Sequence, residues 1–144
     1  MSTNAATLSG ISSGNHAIAA LVGRILLSGI FILGGFAKLT AVSGTAAWFG
    51  SLGLPLPTAT TVVVGLVELL GGFAVLTGFH SRAAAIVLAV FTLGATAVAH
   101  VDFADQMQVL LFQKNLSIVG GFLLLAAFGP GSLSIDARRG VSHA

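Results

Sequence analysis

The chain has 144 residues, 56% of them hydrophobic and only 7% charged. An ordinary soluble domain carries about 25% charge, so six basic and four acidic side chains cannot clothe a water-facing surface. With a mean hydropathy of +1.03, the composition points to a multispanning membrane protein. A net charge of +2 is too small to suggest nucleic-acid binding. The absence of cysteine excludes a disulfide framework, a thiol redox centre and cysteine-ligated metal or iron–sulfur clusters within this chain.

Residues 1–15 are mostly Ser, Thr, Asn, Ala and Gly and read as a short mobile tail. No Lys or Arg precedes Arg24, so the first apolar run lacks the basic n-region of a signal peptide and is expected to be retained. Span 1 is predicted over Ala17–Ala37, closed by Lys38. Arg24, Ser28, Phe31, Gly35 and Lys38 recur at steps of four and three, which puts them on one stripe. Ser28 and Gly35 suit that stripe to close helix packing. Arg24 then either reaches the headgroups or turns inward to a partner.

Thr40–Thr58 is the longest connection. Ala46-Ala47-Trp48-Phe49 followed by Leu52-Gly53-Leu54-Pro55-Leu56-Pro57 predicts a short interfacial helix, with Trp48 at headgroup level and the prolines ending it. A gating lid is the alternative role for this segment.

Span 2 is predicted over Ala59–Phe79, which at 21 residues is about 31 Å of helix, close to the roughly 30 Å of a hydrocarbon core. Glu68 falls near its midplane, where an unpaired carboxylate costs about 2.5–3.5 kcal/mol by insertion scales. Glu68, Gly71 or Gly72, Val75 and Phe79 share a face. A short turn, His80-Ser81-Arg82, leads to span 3, about Ala83–Val101, whose Ala85, Ala89, Thr92, Thr96 and His100 form a small or polar stripe. Asp102 and Asp105 mark the next connection. Span 4 is predicted over Met107–Phe128, with Lys114-Asn115 roughly 10 Å from its start, and Gly129-Pro130-Gly131 ends it. Leu33-Gly34-Gly35-Phe36-Ala37-Lys38-Leu39-Thr40 nearly repeats as Leu70-Gly71-Gly72-Phe73-Ala74-Val75-Leu76-Thr77, through duplication or through the recurring need for small residues at helix contacts.

The expected fold is all-α, a polytopic membrane four-helix bundle, with a tail at 1–15, a membrane domain at 16–136 and a C-terminal tail at 137–144. An even number of spans puts both termini on the side of Arg82, Arg138 and Arg139, so the positive-inside rule places them in the cytoplasm. Depth arithmetic brings Arg24 and Lys114 each within roughly 5 Å of Glu68 along the membrane normal, so either could pair with it. Arg24, Glu68, His100, Lys114 and Asn115 are the candidate residues, forming either a charge-neutralising helix brace or a polar pocket for a quinone headgroup, proton or small anion. Thr92 and Gln108 could add donors and acceptors. His100, with His16, His80 and His143 all near span ends or in tails, does not make a haem site. No nucleophile–base set, phosphate-binding loop or metal cluster stands out, so no catalytic residue or metal ligand is assigned.

The sequence resembles the DoxX family of small bacterial inner-membrane proteins over nearly its whole length, about Ala20 to Asp136. The matching stretches are Gly23-Arg24-Ile25-Leu26, Gly34-Gly35-Phe36-Ala37-Lys38-Leu39, Trp48-Phe49 with Leu52-Gly53, and Glu68-Leu69-Leu70-Gly71-Gly72 with Gly78, Arg82 and His100. Phe112-Gln113-Lys114-Asn115-Leu116, Gly120-Gly121, Gly129-Pro130-Gly131 and Ser134-Ile135-Asp136 complete the pattern. The resemblance implies a four-helix membrane protein. Some relatives are subunits of thiosulfate:quinone oxidoreductase and others associate with redox-stress enzymes. The expected role is a membrane component or anchor of a redox-linked assembly without catalysis of its own. A quinone-binding oxidoreductase subunit and a small-solute or proton-linked transporter are the alternatives. Quinone is the one cofactor this admits, with lipid, a membrane-associated redox protein or further copies of the chain as partners.

Overall fold

The computed structural model describes residues 3–140, with side chains from residue 14 onward. The outer parts of the two expected tails, His143 included, lie outside the described residues. Six helices follow in order: α1 Thr3–Thr40, α2 Val42–Ser51, α3 Pro57–Thr77, α4 Ser81–Ala99, α5 Gln106–Phe128 and α6 Ile135–Arg138. Four of these helices contain a segment long and apolar enough to cross a membrane: Gly14–Thr40, Pro57–Thr77, Ser81–Ala99 and Gln106–Phe128. The helical backbone of α1 begins well before the apolar stretch, through residues the sequence reads as a tail. α2 occupies the place expected for the short helix between spans 1 and 2.

The helix ends follow local chemistry. Pro57 opens α3, where its missing N–H would have had no intrahelical partner anyway. Gly78 ends α3 at φ 69°; its N–H bonds to Val75 O and that of Phe79 to Ala74 O, a Schellman-type stop that favours glycine. Asp105 caps α5, accepting from Met107 N at 2.8 Å.

α1 packs most extensively on α3, and α4 on α5, while α3 joins the two pairs. The α1–α3 crossing is close because Gly35 faces Gly65: a Cβ on Gly35 would lie 2.6 Å from Gly65 O and 2.7 Å from Leu69 N. Gly71 receives Leu88 of α4 and Gly72 receives Phe31 and Ile32 of α1, so the second glycine pair seats α3 between its two neighbours. The expected stripes are the packed faces: Arg24, Ser28, Phe31 and Gly35 on α1, and Ala85, Ala89, Thr92 and Thr96 on α4, are all buried.

The apolar core lies toward the end of the bundle that carries the α3–α4 turn and α6. It consists of Phe31, Val75, Ala85, Leu88, Ala89, Val119, Phe122 and Leu125. The Phe31 and Phe122 rings lie 5.2 Å apart across the bundle, and Leu27 fills the space beside Gly121. At the opposite end, beneath α2, a cavity separates the α1–α3 pair from the α4–α5 pair. Leu26, Leu33, Leu70, Val90 and Leu124 point outward, as lipid-facing positions do.

Candidate functional site

The cavity has a volume of about 500 Å³ and takes lining from α1 through α5. Its size falls within the roughly 300–1,000 Å³ of small-molecule sites. Phe31, Phe91 and Ile118 form apolar wall, Trp48 and Phe49 of α2 bound it at the loop end, and Lys38, Glu68, His100, Lys114 and Asn115 bring the polar groups.

Lys38 Nζ donates to Glu68 Oε2 at 2.8 Å, forming a salt bridge with side chains 23% and 12% exposed. The reason lies in the helix register. α1 and α3 run antiparallel, and the Gly35–Gly65 crossing sets Glu68 level with Gly34, one turn from Lys38. Gly34 leaves room for the carboxylate, since a Cβ there would stand 3.2 Å from Glu68 Oε2 and 3.6 Å from Lys38 Nζ. Lys38, expected to close span 1 on the stripe it shares with Gly35, folds inward along the helix.

This corrects the expected pairing of Glu68 with Arg24 or Lys114. Arg24 sits ten residues before Gly34, about 15 Å along the helix axis, and belongs to the opposite end. There it is 1% exposed and its Nη2 donates to Leu133 O. The expected depth placed the inner edge of span 1 near Ala17. In the structure α1 continues past the end of α3 to meet the C-terminal segment, with Gly131 against Ala20 and Ala17, and Arg24 is level with Gly78. Lys114 lies on the cavity wall, as do Glu68, His100 and Asn115, but it does not reach the carboxylate.

Of the remaining polar groups, Asn115 and His100 are held by their neighbours. Asn115 Nδ2 donates to Thr96 Oγ1 at 2.8 Å, and Thr96 Oγ1 donates in turn to Thr92 O at 2.6 Å. His100 Nδ1 lies 2.7 Å from Gln108 Oε1. Where Nδ1 donates to the carboxamide oxygen, Nε2 is left as an acceptor. Lys114 and Asn115 offer donors, and Asn115 Oδ1 and His100 Nε2 offer acceptors, on a largely apolar wall. Such a set suits an amphipathic molecule with a carbonyl-bearing head. Among the described residues no group of three His, Asp or Glu side chains could hold a metal ion.

At the other end, Asp136 organises a clamp, a role the sequence reading did not give it beyond its place in the family pattern. Its carboxylate accepts from His80 N at 2.8 Å, Ser81 N at 2.9 Å and Ser81 Oγ at 2.8 Å, while its own N–H bonds to Gly78 O at 2.9 Å. The two backbone donors are the N–H groups of the N-cap residue His80 and of Ser81 at the start of α4, where a carboxylate is favoured. His80 is held at φ 44°, a left-handed conformation that the two bonds to Asp136 stabilise. Burial pushes the Asp136 pKa up, but the hydrogen bonds from Ser81 and His80 outweigh it and hold the carboxyl below its ordinary value. Asp136 could have been found from Ser134-Ile135-Asp136 standing after Gly-Pro-Gly, but only with the α3–α4 turn already placed opposite it.

The DoxX family profile matches residues 19–101 of the chain. Inner membrane protein YqjF of Escherichia coli (strain K12) is 43% identical over 119 residues, covering 83% of this chain and 90% of YqjF. Inner membrane protein YphA of the same organism is 35% identical over 123 residues, covering 82% and 88%. CatD of Bacillus subtilis (strain 168), whose name assigns it provisionally to the oxidoreductases, is 33% identical over 78 residues, covering 54% of this chain and 57% of CatD. No solved structure matches the chain. Four apolar spans, a family profile covering more than half the sequence and relatives named as inner membrane proteins agree, and the chain belongs to the DoxX family.

Proposed function

We propose that the protein is an inner-membrane component of a redox-linked assembly and that its cavity holds the head of a quinone-class molecule. The observation that carries this reading is the convergence of Lys114, Asn115 and His100, beside the Lys38–Glu68 pair, on one cavity walled by Phe31, Phe91 and Ile118. The donors of Lys114 and Asn115 suit quinone carbonyls and the rings suit a flat apolar head. A bound quinone would supply the two-electron chemistry, and the chain's own side chains bind and orient it. Electrons would come from a membrane-associated partner protein. The provisional oxidoreductase name of CatD is consistent with such a role.

The same reading includes an orientation. Arg24, Arg82, Arg138 and Arg139 gather at the clamp end, whereas Lys38 and Lys114 line the cavity at the other. The positive-inside rule then puts the clamp and both termini in the cytoplasm and the cavity in the outer half of the membrane.

Trp48, the single tryptophan of the chain, lines the cavity and provides the test. Titrating the detergent-solubilised protein with decylubiquinone should quench its fluorescence saturably. Ala95→Phe, which fills the wall, should abolish the saturable part. Quenching that rises linearly and equally in both proteins, together with native extracts containing no more quinone than the surrounding membrane, overturns the reading.

A further inference from the structure

We infer that the cavity selects an amphiphile carrying one acidic group, and that Lys114 is the residue that reads its charge. This deepens the binding role proposed above but does not require the ligand to be a quinone. The argument starts from the formal charges on the wall. Lys38 and Glu68 satisfy one another at 2.8 Å and cancel. His100 is held through Nδ1 by an uncharged carboxamide. Lys114 adds one positive charge, and among the described residues it has neither an ion-pair nor a hydrogen-bond partner.

Its position makes that charge costly. Lys114 lies eight residues into α5, about 12 Å along the axis and more than two turns from the helix start. A lysine stem does not span that distance to the headgroups easily, and an ammonium at such depth is expensive unless something compensates it. The cavity lining and the neighbouring residue place the charge at the cavity's open rim, where Lys114 is exposed. Asn115 is tied to Thr96 of α4, which anchors this turn of α5 beside the cavity, and Lys114 lines the same wall. A neutral ligand leaves the wall with a net positive charge. An ionised acid cancels it through a charge-assisted hydrogen bond, roughly twice as strong as a neutral one. The Lys38–Glu68 pair supports this selectivity from the side, because a wall carboxylate already neutralised by its own lysine does not repel an incoming anion.

Two matched probe pairs test this, with Trp48 fluorescence as the readout. One is a 2-alkyl-3-hydroxy-1,4-naphthoquinone, acidic through its enol, against the neutral 3-methyl analogue. The other is a brominated long-chain carboxylic acid against its methyl ester, bromine being the quencher. Ala95→Phe supplies the correction for partition into detergent. In the wild type the acidic member of a pair should bind about tenfold tighter than the neutral one. Lys114→Gln should erase the preference by bringing the acidic member down to the affinity of the neutral one, and Lys114→Arg should restore it. Lys114 is exposed and makes no ion pair within the protein, so neither variant should melt below the wild type. If only the fatty-acid pair binds, with the preference intact, the quinone reading fails and the acid-selective site stands. If both naphthoquinones bind equally, or Lys114→Gln keeps the preference, the quinone reading survives and this inference is overturned. If no acidic probe binds more tightly than its neutral counterpart, the inference is overturned as well.

Discussion

Removing one member of the Lys38–Glu68 pair should cost far more than removing both. At 2.8 Å and an effective dielectric of about 20, the direct attraction is roughly 6 kcal/mol. Desolvating the two ions opposes it by several kcal/mol each, so the pair's net contribution is small. Deleting one partner has a different balance, because the survivor stays in the cavity wall uncompensated. For a fully buried pair that loss is about 3–5 kcal/mol. The residual exposure of 23% and 12% lets water reach both groups and lowers it to about 2–3 kcal/mol.

A double-mutant cycle reads this directly. Glu68→Gln and Lys38→Gln should each destabilise by about 2–3 kcal/mol and the double variant by less than about 1 kcal/mol, a coupling of about 3–5 kcal/mol. Reversible unfolding of the detergent-solubilised protein, followed by circular dichroism, supplies the free energies. The alternative pairings are internal controls: adding Arg24→Gln or Lys114→Gln to Glu68→Gln should not rescue it. Additivity of Lys38→Gln and Glu68→Gln within about 0.5 kcal/mol, or rescue by Lys114→Gln, would refute the assignment.

Three further outcomes follow from the same geometry. Gly35→Ala should destabilise by about 3 kcal/mol because the new methyl meets the backbone of Gly65 and Leu69, whereas Gly34→Ala, which meets only the movable ends of Glu68 and Lys38, should cost less than about 1 kcal/mol; equal melting losses would contradict the proposed crossing. Asp136→Asn should lose about 2 kcal/mol at neutral pH, and because the Asp136 pKa is depressed on folding, that contribution is complete above the unfolded value near 3.9 and disappears as the pH falls through the folded value below it; a wild-type advantage that persists unchanged at acid pH rules out the carboxylate clamp. Cysteines introduced at Arg139 and at Asp105 should react with a membrane-impermeant reagent from the cytoplasmic and the outer side respectively, and the reverse pattern would invert the proposed orientation.

The four spans were legible because nothing but a lipid-facing helix explains long apolar runs broken by Gly-Phe-His-Ser, Asp-Phe-Ala-Asp and Gly-Pro-Gly. The packed stripes were legible too, since the three-and-four spacing of Arg24, Ser28, Phe31 and Gly35 survives any choice of neighbour. The ion pair was not. It depends on the relative height of two helices, and that height is fixed by a backbone contact between Gly35 and Gly65 that has no one-dimensional signature. An error of roughly 10 Å in the relative height of α1 and α3 was enough to move Arg24 from near the level of Glu68 to that of Gly78. Asp136 was missed for a related reason: a single carboxylate after a glycine–proline break looks like surface charge until the α3–α4 turn presents it with two backbone N–H groups and a hydroxyl.

The two ends of the bundle divide the work between them. At the clamp end Gly78 and Gly131 let the C-terminal segment sit against α1 and the α3–α4 turn, and Arg24 and Asp136 tie that segment to both. The core of Phe31, Leu88 and Phe122 then locks the helix pairs together from one side. With the pairs fixed there, the opposite half does not need side-chain interdigitation between α1 and α5 to keep its shape, and Lys38 bonded to Glu68 holds α1 on α3 while leaving the ground between the pairs open. Polar groups that would be costly in lipid can therefore face a shared interior. The glycine pairs make the same distinction within single helices: Gly35 removes the distance between two backbones, and Gly34, one residue earlier, supplies the space in which a carboxylate can meet its lysine.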